Sequence, residues 1–363
     1  MTTAAADAAL AELRDRVRAA AAARSGLCIR GGGTKDFYGE APAGELLDMR
    51  GYRGIVSYEP TELVITARCG TPLAEVQATL AERRQMLAFE PPSFGAAATV
   101  GGVVAAGLSG PRRASAGAAR DFVLGVTLLD AGGRALGFGG QVMKNVAGYD
   151  VSRLACGALG ILGPILEVSL KVLPLPAAEC TLRMSLDEAT VLRAMNEWGG
   201  QPLPISATLW RADEFLLRLS GAAAAIDAAA LRFEREHGAV RLDAGAAAAL
   251  WTRVREQTDA FFDGLQPLWR LSVPSVAPSL ALPGAQAIEW GGALRWLRSD
   301  ADATTIRDAA ARAGGTATLF RGGDRSAGVF HPLAPVNAAL QRRLKDAFDP
   351  GRIFNPGRMY PDL

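Results

Sequence analysis

Arg30-Gly31-Gly32-Gly33-Thr34-Lys35 decides how the rest of the chain is read. The four residues before the glycines, Leu27-Cys28-Ile29-Arg30, have the composition of a short strand. Three consecutive glycines after a strand permit positive φ and let backbone approach a ligand closely. Successive amide N–H groups in such a turn form an anion-binding concavity. Thr34 adds a hydroxyl and Lys35 a charge, so the run reads as a phosphate cradle. It is not a Walker loop, because GxxxxGK[ST] is absent. It is not the Rossmann fingerprint either, since the last glycine of GxGxxG would fall on Asp36. A tight turn that merely needs glycine is the alternative.

Two more glycine regions follow. Thr99-Val100-Gly101-Gly102, continuing to Gly107, comes after the rigid Glu90-Pro91-Pro92-Ser93 turn and again pairs a hydroxyl with glycines. Two such loops suit a ligand with two phosphates. Gly148-Tyr149-Asp150 and Gly157-x-x-Gly160-x-x-Gly163-Pro164-Ile165 are too interrupted for a standard helix and suit close backbone approach to a planar ring.

Around these loops the pattern is α+β. Strands are expected at Gly54–Tyr58, Leu63–Arg68, Phe122–Leu129 and Ile165–Leu173, with a helix over Pro72–Arg84. Leu173-Pro174-Leu175-Pro176 marks a boundary. Beyond it, helices are expected at 187–198, 222–237 and 245–258. Strands are expected at Ala207–Trp210, Glu214–Leu219, Trp290–Trp296 and Ala317–Phe320. The domain division expected is 1–176, a second domain over 177–345, and a tail, 346–363.

Composition removes several function classes. The 363 residues carry 39 Lys+Arg and 37 Asp+Glu, a formal charge of +2, so no basic excess points to nucleic acid. Four cysteines without a CxxC pair do not build an iron–sulfur or ribbon-type zinc site, and two histidines cannot make a multi-histidine metal centre. No metal is expected. Residues 1–24 are charged and helix-patterned rather than a targeting signal. The longest apolar stretch, Leu154–Leu166, is shorter than the ~20 residues a bilayer needs. The expectation is a soluble, cytoplasmic chain that meets a membrane only through partners.

The ordered set Arg30-Gly-Gly-Gly-Thr, Thr99-Val-Gly-Gly, Gly117-x-x-x-Asp121-x-Val123-x-Gly125, Lys144-Asn-Val-Ala-Gly-Tyr-Asp150, Gly157-x-x-Gly160-x-x-Gly163 and Asp349-Pro-Gly-Arg-Ile-Phe-Asn-Pro-Gly357 resembles the vanillyl-alcohol-oxidase/p-cresol-methylhydroxylase (PCMH-type) FAD-binding family. Arg321-Gly-Gly-Asp-Arg-Ser-Ala-Gly-Val-Phe-His331-Pro and the chain length resemble its glycolate-oxidase branch. The resemblance implies two α/β subdomains holding FAD and an α+β cap. It implies pyrophosphate contacts from Gly31–Lys35 and Thr99–Gly102, with Arg30, Pro91, Gly107, Val123 and Gly163 as further cofactor-binding residues. It further implies adenosine and ribityl contacts from Gly117, Asp121, Gly148, Gly157, Gly160 and Ile165, with Asn355 near the flavin ring. No histidine precedes residue 237, so the FAD is expected to be non-covalent.

Related 2-hydroxyacid dehydrogenases carry several cap histidines that hold a metal; here His331 alone remains. His331 as a base and Arg321 as a carboxylate anchor are the catalytic candidates, against a locally bonded loop histidine and a subunit-contact arginine. Three functional readings stay open. The first is an FAD subunit of a glycolate oxidase complex, oxidising glycolate to glyoxylate beside a paralogous flavoprotein subunit and an iron–sulfur subunit that passes electrons to quinone. The second is a self-sufficient FAD-dependent 2-hydroxyacid dehydrogenase, and the third a non-catalytic assembly subunit.

Overall fold

A computed structural model describes residues 3–140 and 150–363. Its two compact units are Met1–Leu108 with Ala118–Pro174 and Pro332–Leu363, and Ser109–Gly117 with Leu175–His331. The change of unit at Pro174/Leu175 falls within the proline-rich boundary. Two details differ from the division expected. The C-terminal return begins at Pro332, not 346, because the Pro335–Phe348 helix belongs to the first unit: its Lys345 ammonium bonds Ile161 O and Phe354 O. Ser109–Gly117 joins the second unit, where Trp290 Nε1 donates to Gly110 O at 3.0 Å and Ser115 Oγ to Ser206 O.

In the first unit the strand Leu27–Arg30 pairs in parallel with Glu45–Asp48, and Phe354 of the tail bridges to Leu27. The helix Thr3–Ala23 buries Leu13 and Val17. A five-stranded antiparallel sheet follows in the order Ile55–Glu59, Val64–Arg68, Ile165–Lys171, Val123–Leu129, Ala135–Gly139. Val64, Ile65, Val126, Leu128, Val168 and Leu170 are buried, which is the apolar content the strand expectations rested on. Leu73–Glu82 is the expected helix, with Leu73, Val76 and Leu80 on its buried face.

The second unit is an antiparallel eight-stranded sheet. Its order is 240–241, 178–185, 214–221, 205–211, 285–289, 294–298, 268–272, 316–321. The helices Glu188–Gly199 and Ala223–His237 bury Val191, Trp198 and Phe233 against Phe215, Leu217 and Ile288. Asp187 caps the first of them, accepting from Thr190 N at 2.9 Å. The helix Ala303–Arg312 covers Trp269, Leu271, Leu297 and Leu319 in the same way. The expected strand Trp290–Trp296 is only half right. Trp290, Gly291 and Gly292 have φ of +56°, +66° and +103°, which extended backbone does not allow, so the strand starts at Leu294.

Candidate functional site

The first unit contains two overlapping cavities that open to solvent. Both are lined by Gly31, Thr99, Gly102, Leu159 and Asn355. The larger adds Arg30, Gly32, Gly33, Thr34, Lys35 and Arg358; the smaller adds Met49, Cys69, Gly101, Gly160, Gly163 and Ile165. The fold thus brings the first loop, the Thr99 segment, the 157–165 turn and the tail to one place.

Backbone donors distinguish the two glycine loops. The N–H groups of Gly31, Gly32, Gly33 and Thr34 donate to no protein acceptor among the described residues, and these residues are partly exposed along the larger cavity. Unengaged amides in a row are what an anion-binding loop requires. The second segment differs in its amides. It is the start of a helix, Val100–Ala106, with Thr99 as N-cap and Gly107 as its left-handed C-cap. Val100 N bonds Thr71 O at 2.9 Å, Gly101 N bonds Cys69 O at 2.8 Å, and Gly102 N bonds Thr99 Oγ1 at 3.3 Å. Those three donors are already taken inside the protein, so Thr99–Gly102 forms a wall of the cavity.

Charge around the first loop is partly neutralised. Arg30 pairs with Asp36 at 2.6 Å. Lys35 Nζ bonds Ser93 O at 3.2 Å and sits 5.5 Å from the Phe94 ring centre. Arg358, buried, donates to Tyr38 O at 2.6 Å, to Asp36 O at 3.0 Å and to Glu40 O, so the C-terminal tail shapes the loop. Sequence reasoning missed Arg358; its signal was its place directly after the Asn355-Pro-Gly motif.

Several glycines serve packing between backbones. A Cβ on Gly32 would overlap the Ala97 carbonyl, one on Gly101 would lie 2.6 Å from Cys69 Cβ, and one on Gly107 would lie 2.8 Å from Gly157 Cα. At Gly160, φ is +77° and a Cβ would lie 2.7 Å from Asn355 Nδ2. Asn355 uses its whole amide: Oδ1 accepts from Ile29 N and Nδ2 donates to Leu159 O, both at 2.6 Å. It ties the first strand to the 157–163 turn at the cavity edge.

Other expected residues lie apart from these cavities. Pro91 is buried in its turn and lines neither. Asp121 carboxylate accepts from Ala118 N at 2.9 Å, a turn-closing role, and Val123 is a buried strand residue. Gly117 caps the short helix Arg113–Ala116 of the second unit. Gly148 and the Lys144–Tyr149 part of its motif lie outside the described residues.

The two catalytic candidates do not converge. His331 Nδ1 accepts from Ala317 N at 3.4 Å, and burial, then Arg307, holds its imidazole below the ordinary value. Arg321 donates to Gln257 Oε1 at 2.9 Å, with its guanidinium pushed down by burial and by Arg298. Ala317 and Arg321 stand at opposite ends of one strand, about 13 Å apart at ~3.3 Å per residue. Cys69, under the cavity floor, is fully buried and its thiol is pushed up to about 12, so it stays protonated. Among the described residues no group of three or more His, Cys, Asp or Glu could hold a metal ion, and no helix is long and apolar enough to cross a membrane.

The family described as an FAD binding domain matches residues 8–139. Glycolate oxidase subunit GlcE of Escherichia coli (strain K12) is 46% identical over 351 residues, covering 97% of each chain. Glycolate oxidase subunit GlcD of Bacillus subtilis (strain 168) is 30% identical over 155 residues, 42% of this chain and 33% of that protein. A structure of p-cresol methylhydroxylase with substrate bound aligns with a TM-score of 0.70 at 14% identity, over 98% of this chain and 88% of that one. The α+β fold is of the PCMH type, and the cofactor such a domain takes is FAD.

Proposed function

Because the chain belongs to the glycolate oxidase subunit GlcE family, we propose that it is the FAD-binding subunit of an enzyme that oxidises glycolate to glyoxylate. The row of unengaged amides at Gly31–Thr34 carries the reading of this site. A diphosphate there would find four backbone donors, the Thr34 hydroxyl and the Lys35 ammonium. The walls from Thr99, Gly102, Gly160, Ile165 and Asn355 would hold the rest of the cofactor. Bound FAD supplies a two-electron acceptor for the hydride leaving the glycolate α-carbon. The chain's own residues bind and orient: the loop holds negative charge, Asn355 and Arg358 keep loop and turn in place, and the apolar Ile29, Met49 and Leu159 keep water from one side. Non-covalent attachment fits a cavity whose lining contains no histidine and whose one cysteine, Cys69, is buried and protonated.

His331 and Arg321 are each held by a protein partner and stand far apart, so they do not assemble a base and an anchor around one small acid. This favours a chain that completes its chemistry beside partner subunits, and we propose that the electrons leave through an iron–sulfur subunit toward quinone. It weighs against a self-sufficient dehydrogenase. The test is the visible spectrum of the purified chain before and after acid precipitation, then anaerobic mixing with glycolate. The expected result is a flavin spectrum, all flavin released to the supernatant, and bleaching by glycolate that depends on partner subunits. A colourless chain that still assembles would leave only the scaffold role; yellow colour kept in the pellet would refute non-covalent binding.

A further inference from the structure

Buried arginines of the second unit commit their guanidinium groups to protein acceptors. Arg218 donates to Ser206 Oγ, Arg298 to Phe262 O and Gln266 O, Arg295 to Gly292 O and Ala277 O, and Arg307 to Ala327 O and Gly328 O. Arg270 does not. It is half-buried in the strand Leu268–Ser272, and among the described residues its guanidinium has neither a carboxylate nor a hydrogen-bond acceptor.

Its surroundings are built. Arg270 stands opposite Trp296 on one neighbouring strand and Thr318 on the other, so the three side chains share one face of the sheet. The alternate residues Trp269, Leu271, Leu297 and Leu319 pack in the helix-covered core on the other face. The Arg270 guanidinium carbon lies 5.3 Å from the Trp290 ring centre, and that of Arg113 lies 4.4 Å from the same ring. A guanidinium held by cation–π attraction to a ring keeps its N–H donors for a carboxylate, which it can meet bidentately. Thr318 is half-buried, and its hydroxyl has no hydrogen-bond partner among the described residues.

Trp290 is itself held in strain. Its φ is +56°, a conformation rare for a bulky residue, followed by two glycines with positive φ. The surrounding bonds keep it there: Trp290 Nε1 to Gly110 O, Gly291 N to Thr208 Oγ1 at 2.9 Å, and Arg295 Nε to Gly292 O at 2.6 Å. Backbone strain of this kind persists where the structure over-determines a side chain's position.

We propose that Arg270, Thr318 and Trp290 form a binding site in the second unit for a small 2-hydroxycarboxylate. The guanidinium takes the carboxylate, the Thr318 hydroxyl bonds the 2-hydroxyl, and the indole fixes the plane of the guanidinium. Arg113 adds positive potential. This rests on the reading of the chain as acting on glycolate, and it moves the carboxylate anchor from Arg321, already held by Gln257, to Arg270.

The test is calorimetric titration of the FAD-loaded protein with glycolate at low ionic strength, with uncharged glycolamide as control. Wild type is expected to bind glycolate and not glycolamide. Arg270→Gln weakens glycolate binding about 10- to 100-fold, as loss of a charge-assisted pair does. Arg270→Lys recovers only part, because the fork is lost. Both variants keep wild-type flavin absorbance and melting temperature, since Arg270 lines neither cavity of the first unit. Unchanged glycolate affinity in Arg270→Gln, or equal binding of glycolamide, overturns the site. A yellow wild-type protein that ignores glycolate also overturns it while the flavoprotein reading stands; a colourless one removes the reading beneath it.

Discussion

Replacing Lys345 by Met tests what holds the C-terminal tail at the cofactor cavities. The Lys345 and Asp349 side chains are both 0% exposed and pair at 2.8 Å. The ammonium has three acceptors, Asp349 Oδ2, Ile161 O at 2.8 Å and Phe354 O at 2.7 Å. Asp349 also accepts from Ile353 N at 3.1 Å and Phe354 N at 2.8 Å, closing the turn that leads to Asn355. Methionine keeps the length of the side chain but leaves a buried carboxylate without its counter-charge. Breaking one side of such a pair costs about 3–5 kcal/mol. At about 2–4 °C per kcal/mol for a unit of this size, melting should fall by roughly 6–20 °C. FAD affinity should fall as well, because Asn355 and Arg358 follow the released turn. The assay is thermal unfolding read by far-UV circular dichroism together with flavin release. Adding Asp349→Asn to Lys345→Met should recover part of the loss by removing the stranded charge. A drop below about 1 kcal/mol in the single variant, or a double variant that simply adds a second full loss, would refute the reasoning.

Other expectations follow from the same geometry. Gly32→Asp should lose FAD together with part of the first unit's structure, because its side chain meets the Ala97 carbonyl before any ligand, whereas Gly102→Ala, whose Cβ meets only Thr99 Oγ1 at 3.3 Å, should keep the fold and isolate the effect on FAD affinity. Urea titrations compared with FAD titrations of the two variants decide this; equal loss of stability in both would sink the distinction. For His331, burial and Arg307 favour the neutral ring, so the folded imidazole titrates below the ordinary value. The unfolded chain then binds more protons between the two values, and this contribution is present above pH ~6.5 and lost as pH falls through the folded value. Stability of wild type should therefore decline more than that of His331→Gln on acidification below that pH; parallel curves would contradict it.

Much of the secondary structure was legible because periodicity and punctuation are local. Asp187 before an amphipathic run and Gly199-Gly200 at its end mark a helix without reference to the rest of the chain. The glycine motifs and their order identified the PCMH-type family for a related reason: turns that need positive φ or close backbone approach restrict the residue type at single positions. Local pattern also misled. Trp290–Trp296 has strand composition, but its first three residues have positive φ, and Trp290 and Gly291 are bonded to Gly110 and Thr208, which lie elsewhere in the chain.

Fold class, the flavin cofactor and the glycine loop at Gly31–Thr34 are legible in the residue order. Which polar groups remain unengaged is a property of the folded chain. Thr99–Gly102 looks like the first loop in sequence, yet its donors are taken by Thr71, Cys69 and Thr99 itself. Arg321 looks like a free anchor, yet Gln257 holds it, while Arg270, unremarkable in sequence, stands open on Trp290. Lys345 and Asp349, four residues apart at the end of the Pro335–Phe348 helix, are buried together as an ion pair by folding. A hydrogen bond is satisfied or not by a partner that is often a hundred residues away, so the inventory of groups left to bind a ligand exists only after the chain has folded.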